Sequence, residues 1–340
     1  MASAARPAYS PSNPFRVHIE NSRTLQPVFI VFPEQYEAAL TRHPDLARIV
    51  KTTMGYDLEN YNPAMRDADA MIGYRFPKQG MAEAAPRLKW IQVLGAGVDY
   101  LLPLDWLPPQ VALTTNSGAH VPKAAQSALM ALLMLNARIP YLVTSQRKHE
   151  WNRVFTSTLE GKTLLIVGAG RIGGGAAEQA KAFGMRVLAT RRSGAAQPGV
   201  DEMHPPSALH ALLPCADFVL LNLALTPETK FVMGQREFWL MKRGAAFINM
   251  SRGGLVDLNA LAYCLREGQL SGAMVDVSMP EPLPADSAIW DTPNLIITPH
   301  VLSDDIEQYV PRTLDIFFDN VRRHIEGRPL HNVVDLARAY

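Results

Sequence analysis

Between Thr163 and Gly173 the chain reads Thr-Leu-Leu-Ile-Val-Gly-Ala-Gly-Arg-Ile-Gly, a short apolar run that opens directly into G-x-G-x-x-G. No other stretch limits the fold as strongly. A buried strand is expected to deliver the chain to Gly168, and the Ala-rich segment through Ala176, Ala177, Ala180 and Phe183 reads as a helix. In such a strand–turn–helix each glycine has its own task. Gly168 permits the tight turn, Gly170 lets a pyrophosphate approach the backbone, and Gly173 lets the helix lie close to the sheet. The helix would aim its unpaired N–H groups at the phosphates. Glycine triplets also occur in turns that hold no ligand, so the reading rests on the strand before and the helix after.

The next strand candidate, Met185–Thr190, bears on which dinucleotide is held. An NAD site needs an acid about 20 residues past the glycines to accept hydrogen bonds from the ribose 2′-OH. Here Arg191 stands 18 residues after Gly173, and no Asp or Glu occurs between Glu178 and Asp201. The Arg191 and Arg192 guanidiniums, beside the Thr190 and Ser193 hydroxyls, make a cradle suited to a 2′-phosphate. A solvated basic turn is the plainer alternative. The missing acid favours NADP, with NADPH preferred over NADH.

At 340 residues the chain is long for one core, so two domains are expected. Its 33 basic and 32 acidic side chains nearly cancel, which argues against a nucleic-acid or anionic-membrane partner. Cys215 and Cys264 lie in apolar stretches without metal-ligand spacing, so the expectation is two buried thiols in a reducing cytoplasm and no bound metal. No apolar run reaches the length of a membrane span, and residues 1–14 read as a loose tail rich in Ala, Ser and Pro.

Alternation of short apolar runs with helical patterns points to open α/β sheets. In the first part the strand candidates are Val28–Phe32, Ala70–Gly73, Trp90–Leu94 and Val111–Thr114, with a helix near Glu34–Arg42. Lys123–Asn136 reads as a buried helix. After the glycines, strands are expected at Phe218–Leu221, Ala246–Ile248, Ala273–Val277 and Leu295–Ile297, separated by helices at Ser207–Leu213, Gln235–Met241 and Leu258–Glu267. A final helix, roughly Asp304–Glu326, carries Ile306, Val310, Leu314, Phe317 and Val321 on one stripe.

Three strand ends carry groups suited to one chemistry. Arg252 follows the Ala246–Ile248 strand in Asn-Met-Ser-Arg-Gly-Gly, and its planar fork suits the carboxylate and carbonyl oxygens of a 2-oxo acid. Glu281 lies in Asp276-Val-Ser-Met-Pro-Glu-Pro-Leu-Pro, and His300 ends the last strand as Thr-Pro-His. Hydride delivery to a ketone builds negative charge on oxygen, which calls for a proton donor that titrates near neutrality. His300 fits that role, with Glu281 holding the imidazole and raising its pKa. A lone His after Pro is more often structural, and an Arg at a turn often only solvated. The assignment therefore depends on all three lying at strand ends. Upstream, Gly95-Ala-Gly-Val-Asp99 follows the Trp90–Leu94 strand, and the amides of Ala96, Gly97 and Val98 form a candidate donor patch for a carboxylate.

Taken in order, Gly-Ala-Gly-Val-Asp, Gly-Ala-Gly-Arg-Ile-Gly, Leu-Thr-Pro-Glu-Thr, Asn-Met-Ser-Arg-Gly-Gly-Leu-Val-Asp, Asp-Val-x-x-x-Glu-Pro-Leu-Pro and Thr-Pro-His resemble the D-isomer-specific 2-hydroxyacid dehydrogenases over roughly residues 68–330. Thr190-Arg191-Arg192-Ser193 makes the chain most similar to the NADPH-preferring glyoxylate/hydroxypyruvate reductases. The resemblance implies two doubly wound parallel-sheet domains: a flavodoxin-like substrate domain (1–116 plus 302–340) into which a Rossmann domain (117–301) is inserted. It implies a homodimer built largely on the cofactor domains. Arg252 would bind substrate, His300 would be the acid/base supported by Glu281, and Asp276 would orient the nicotinamide carboxamide. Cofactor contacts are expected at Gly168, Gly170, Arg171, Ile172, Gly173, Thr190, Arg191, Arg192, Ser193, Leu223, Met250, Ser251 and Asp276. Substrate contacts are expected at Ala96, Gly97, Val98, Arg252 and His300.

The chain departs from the family pattern at Ala224, at Ala125-Gln126-Ser127 and at Val301–Asp304; none of these removes a catalytic group. Two other readings compete with this one. A dinucleotide-sensing scaffold or corepressor-like protein would use the same fold, but the retained Arg252, Glu281 and His300 count against it. Tyr74 and Lys78 have the Tyr-x-x-x-Lys spacing of short-chain dehydrogenases, yet Pro77 separates them and they precede the glycine motif by about 90 residues, far from their place in that family.

Overall fold

The computed structural model describes residues 9–336, which fall into two units: the described residues up to His120 and from Asp305 onward, and Val121–Asp304. The first unit holds five parallel strands: β1 (Phe15–Asn21), β2 (Val50–Tyr56), β3 (Ala70–Gly73), β4 (Trp90–Val93) and β5 (Ala112–Thr114). Their order β2-β1-β3-β4-β5 is that of flavodoxin-like sheets. Its core is built around Phe15, Ile19, Trp90 and the helix Tyr309–Glu326, whose Leu314, Phe317 and Val321 are fully buried.

Val28–Phe32 is not a strand. Pro27 opens a 3-10 turn (Pro27–Phe29) and Pro33 starts a helix (Pro33–Arg42). Between them, Val31 exchanges both of its backbone hydrogen bonds with the Asn21 side chain (2.9 and 3.0 Å) in place of a ladder. The first strand of this sheet is β1 instead, which escapes an apolar-run search because His18 and Glu20 interrupt it. Both are buried, and their pairing at 2.9 Å makes this tolerable. Thr53 Oγ1 meets His18 Nδ1 at 2.9 Å, and the Leu58 amide donates to Glu20 at 2.8 Å. The final helix begins at Tyr309, so Ile306 precedes it and is 69 % exposed rather than on the buried stripe.

The second unit holds seven parallel strands: β6 (Thr163–Val167), β7 (Arg186–Thr190), β8 (Glu202–His204), β9 (Phe218–Leu221), β10 (Ala245–Asn249), β11 (Leu270–Val275) and β12 (Leu295–Ile297). They are ordered β12-β11-β10-β9-β6-β7-β8, the doubly wound dinucleotide-fold order with one further strand, and the winding reverses between β6 and β9. Alternate residues of β6 serve opposite cores, Leu165 and Val167 on one face and Leu164 and Ile166 on the other. A strand buried on both faces reads as an unbroken apolar run for this reason.

The breaks expected after residues 116 and 301 lie a few residues early. The helix Val121–Asn136 opens the second unit, and Leu302 stays in that unit's core, where its carbonyl accepts from Ser127 Oγ at 2.6 Å. Cys264 is buried as expected, but Cys215 is exposed, in a short 3-10 turn after the helix Leu209–Leu212. Among the described residues no single helix is long and apolar enough to cross a membrane. The bent pair Val121–Asn136 and Ile139–Arg147 passes by length and composition together, and its first helix faces the unit's core.

Candidate dinucleotide and active site

The three glycines after β6 do three different physical jobs. Gly168 sits at φ +101°, and a Cβ there would collide with the Asn222 carbonyl and stand 2.7 Å from Leu223 Cδ2. At Gly173 a Cβ would stand 2.8 Å from the Gly168 carbonyl and 3.1 Å from Ile166, so the helix Arg171–Ala182 lies against the sheet only without one. Gly170 is the reverse case: a Cβ would meet nothing within 4 Å. That residue is the helix N-cap and no side chain caps it, so open space lies beside unpaired amides. A diphosphate fits there, held by backbone N–H groups at a helix N-terminus. Arg171 is exposed and Ile172 half-buried in the first turn.

Beyond β7 the chain carries the residues of the expected cradle. Thr190 is buried, and its Oγ1 accepts from the Gly168 amide at 3.2 Å. Its hydroxyl braces the glycine turn. Arg191 is half-buried and directs Nη1 to the Ala195 carbonyl (3.4 Å) and to Gln197 Oε1 (3.2 Å). Arg192 and Ser193 are exposed. Leu223 is partly buried against the core, and Met250 and Ser251 are buried.

After β10, Asn249 shapes the turn that carries Arg252. Asn249 Oδ1 accepts from the Ser251 amide (3.1 Å), and its Nδ2 donates to the Arg252 carbonyl (3.1 Å), an Asx-type turn. Gly253 follows where a Cβ would strike the Ser278 carbonyl, so this turn presses on the segment leading to Glu281. Arg252 Nη1 donates to the Ser251 carbonyl at 2.8 Å.

His300 Nδ1 and Glu281 Oε1 are 2.6 Å apart, with both side chains about two-fifths exposed. This contact keeps the imidazolium form to higher pH than in an ordinary histidine, while burial and the Arg252 charge oppose it. In turn the contact holds the Glu281 carboxyl below the usual carboxylate range, burial acting against it. Arg252 acts electrostatically on both, so the structure brings these three residues together within one unit. The histidine itself has φ +55°, a left-handed conformation that costs a residue with a Cβ about 1–3 kcal/mol.

Asp276, immediately after β11, holds that conformation in place. Its carbonyl accepts from the His300 amide at 2.8 Å. Its carboxylate accepts from Thr298 Oγ1 (2.7 Å), the Val301 amide (3.0 Å) and the Leu302 amide (3.1 Å). The carboxylate has about four lone-pair sites, so one on Oδ2 remains for a further donor. Asp304 is a further acid nearby, its carboxyl pushed up by burial, with His300 opposing and Asp276 adding to the shift.

In the other unit, Ala96–Val98 follow β4; Ala96 is exposed, Gly97 half-buried and Val98 buried. The Gly95 carbonyl is engaged by the Asn116 amide, which fixes the start of the loop. Sequence reading missed Asn249, Thr298 and Gln197. Only Asn249 carries a signal, since Asn two residues before Ser and three before Arg at a strand end is an Asx-turn pattern. Among the described residues no group of three or more His, Cys, Asp or Glu is placed to hold a metal.

Comparison with known proteins bears on this geometry. The profile of the D-isomer specific 2-hydroxyacid dehydrogenase NAD binding domain matches residues 129–301. The chain is 32 % identical over 323 residues to the glycerate dehydrogenase of Methylorubrum extorquens, covering 89 % of this chain and 93 % of that one. To the D-3-phosphoglycerate dehydrogenase of Methanocaldococcus jannaschii it is 31 % identical over 303 residues, covering 84 % of this chain and 55 % of the relative; the chain thus spans about half that protein's length. A solved NADPH-dependent glyoxylate/hydroxypyruvate reductase of Sinorhizobium meliloti, in complex with NADP and sulfate, is similar with a TM-score of 0.77 at 29 % identity, over 96 % of this chain and 100 % of that one.

Proposed function

The chain belongs to the D-isomer specific 2-hydroxyacid dehydrogenase family, and from that premise we propose that it is an NADPH-dependent reductase of small 2-oxo acids such as glyoxylate or hydroxypyruvate. The observation that carries this reading is the meeting of Arg252, Glu281 and His300 at the ends of three neighbouring strands, β10, β11 and β12. A bound nicotinamide dinucleotide supplies the hydride. His300 gives its Nε2 proton to the carbonyl oxygen, since Nδ1 faces Glu281 and stays protonated. Glu281 keeps the ring in register and favours its charged form before transfer. The Arg252 guanidinium binds the 2-oxo acid and stabilises charge developing on oxygen. In this reading the amides of Ala96, Gly97 and Val98 bind the carboxylate, and Asp276 positions the His300 segment.

Arg191, standing where an NAD site has an acid, supports the preference for NADPH. A homodimer belongs to the same reading. Trp151 (93 % exposed) and Phe155 (81 %) lie on an irregular segment after the helix Ile139–Arg147, and apolar groups this exposed mark an association surface.

The test is a panel of 2-oxo acids run in parallel with NADPH and NADH, followed by loss of cofactor absorbance. Consumption of NADPH with a small 2-oxo acid is expected. No consumption with any of them between about pH 5 and 8 removes the proposal. Arg191→Asp with Arg192→Ala should move the preference toward NADH; a ratio that stays put overturns the assignment to NADP.

A further inference from the structure

The segment between β7 and β8 folds back over the helix Arg171–Ala182 and is seated on it at two points one turn apart. Gln197 packs on Gly174, where any Cβ would strike the Gln197 amide. Gly199, at φ +77°, packs on Ala177 and Glu178, where a Cβ would stand 2.6 Å from the Glu178 amide nitrogen. The Gln197 carbonyl accepts from the Val200 amide at 3.2 Å and closes a turn between these points. Gln197 is thereby held against the first turns of the helix that starts at the glycine loop. From that seat its Oε1 lies 3.2 Å from Arg191 Nη1, which also donates to the Ala195 carbonyl at 3.4 Å.

The consequence follows from guanidinium geometry. Arginine has five N–H donors in a rigid fork, two of them on Nη1. Ala195 and Gln197 supply an acceptor for each of those two. The Nε and Nη2 edge, with three donors, is the edge suited to two parallel bonds to a phosphate. We propose that Gln197 is a positioning residue for cofactor selectivity: anchored on Gly174, it turns the Arg191 guanidinium so that its Nε/Nη2 edge meets the 2′-phosphate of NADPH. The inference rests on the reading of Arg191 given under Proposed function. It adds that the arginine alone is insufficient and that Gly174 is part of the selectivity device.

Dissociation constants for NADPH and NADH, read by ligand fluorescence, and for adenosine 2′,5′-bisphosphate against 5′-AMP, read by calorimetry, test this without turnover. With Gln197→Ala the selectivity for the 2′-phosphorylated member of each pair should fall about five- to tenfold, the scale of one ordinary hydrogen bond. Gln197→Glu should reduce it further, because a carboxylate pairs with Arg191 and repels the phosphate. Gly174→Ala, which unseats Gln197 without touching Arg191, should act in the same direction as Gln197→Ala. A merely structural role would weaken both members of each pair together, and that result overturns the proposal. So does an unchanged ratio in Gln197→Ala when Arg191→Ala shifts it. If Arg191→Ala leaves the ratio unchanged as well, the NADP reading itself fails and the inference falls with it.

Discussion

The turn after β6 and the segment after β12 both present chain groups at the carboxyl end of a parallel strand, but they are shaped by opposite means. The glycine turn is shaped by side chains it lacks: Gly168 and Gly173 allow contacts that any Cβ would block, and Gly170 leaves room for a ligand. The His300 segment is shaped by hydrogen bonds, four of them ending on Asp276, and they force a histidine into a left-handed conformation. Steric permission leaves its mark in a local motif. Polar restraint depends on a residue 24 positions upstream, and nothing local announces it.

The largest expected effect concerns the restrained segment. His300→Asn should lower the turnover of 2-oxo acid reduction by about 10²- to 10⁴-fold while leaving dinucleotide affinity close to that of the parent protein. Steady-state kinetics beside a binding isotherm check this, and unchanged turnover would clear the imidazole of any role in proton transfer.

Next come the two glycines, which should separate cleanly. Gly168→Ala combines positive-φ strain with a collision at Asn222 and should destabilise the fold by about 2–5 kcal/mol in urea unfolding. Gly170→Ala should cost little stability, since nothing stands within 4 Å, yet should weaken dinucleotide binding. If both variants lose stability equally, the division of labour drawn from the contacts is wrong.

Asp276→Asn probes the restraint itself. Replacing one carboxylate oxygen by an amide NH2 turns a buried acceptor into a donor that faces other donors, at a cost of about 1–3 kcal/mol. Turnover should fall with stability, whereas a stable variant of full activity would mean that Asp276 does not place His300.

The smallest effect is a displacement along the pH axis. Reduction needs protonated His300, so the rate should hold below its raised pKa and decline as pH rises through it. Glu281→Gln removes the main cause of that raised value, so the declining limb should move to lower pH. A limb that stays in place, or moves upward, contradicts the assigned pair.

Much of the second unit is legible in the residues because its central strands are buried on both faces and its glycines stand in a spaced motif. Phe218–Leu221 and Leu295–Ile297 begin and end where the apolar runs do. The first unit is harder to read because β1 hides His18 and Glu20 inside a sheet, a pattern that depends on partners far along the chain. The same applies within the site. Arg252, Glu281 and His300 stand out as chemical types at strand ends, whereas the tasks of Thr190 and Asp276 follow from what their oxygens accept. Gln197 lies in a loop of Gly, Ala and Pro, and only contacts in space connect it to Arg191 and Gly174.

Strand β12 is three residues long, half-exposed and last in its sheet, with β11 as its one neighbour. His300, the proposed proton donor, therefore follows an edge strand, which opens more readily than the centre of a sheet. Activity should fade in mild denaturant before the central strands give way, and amide exchange at Ile296 and Ile297 should track that early loss.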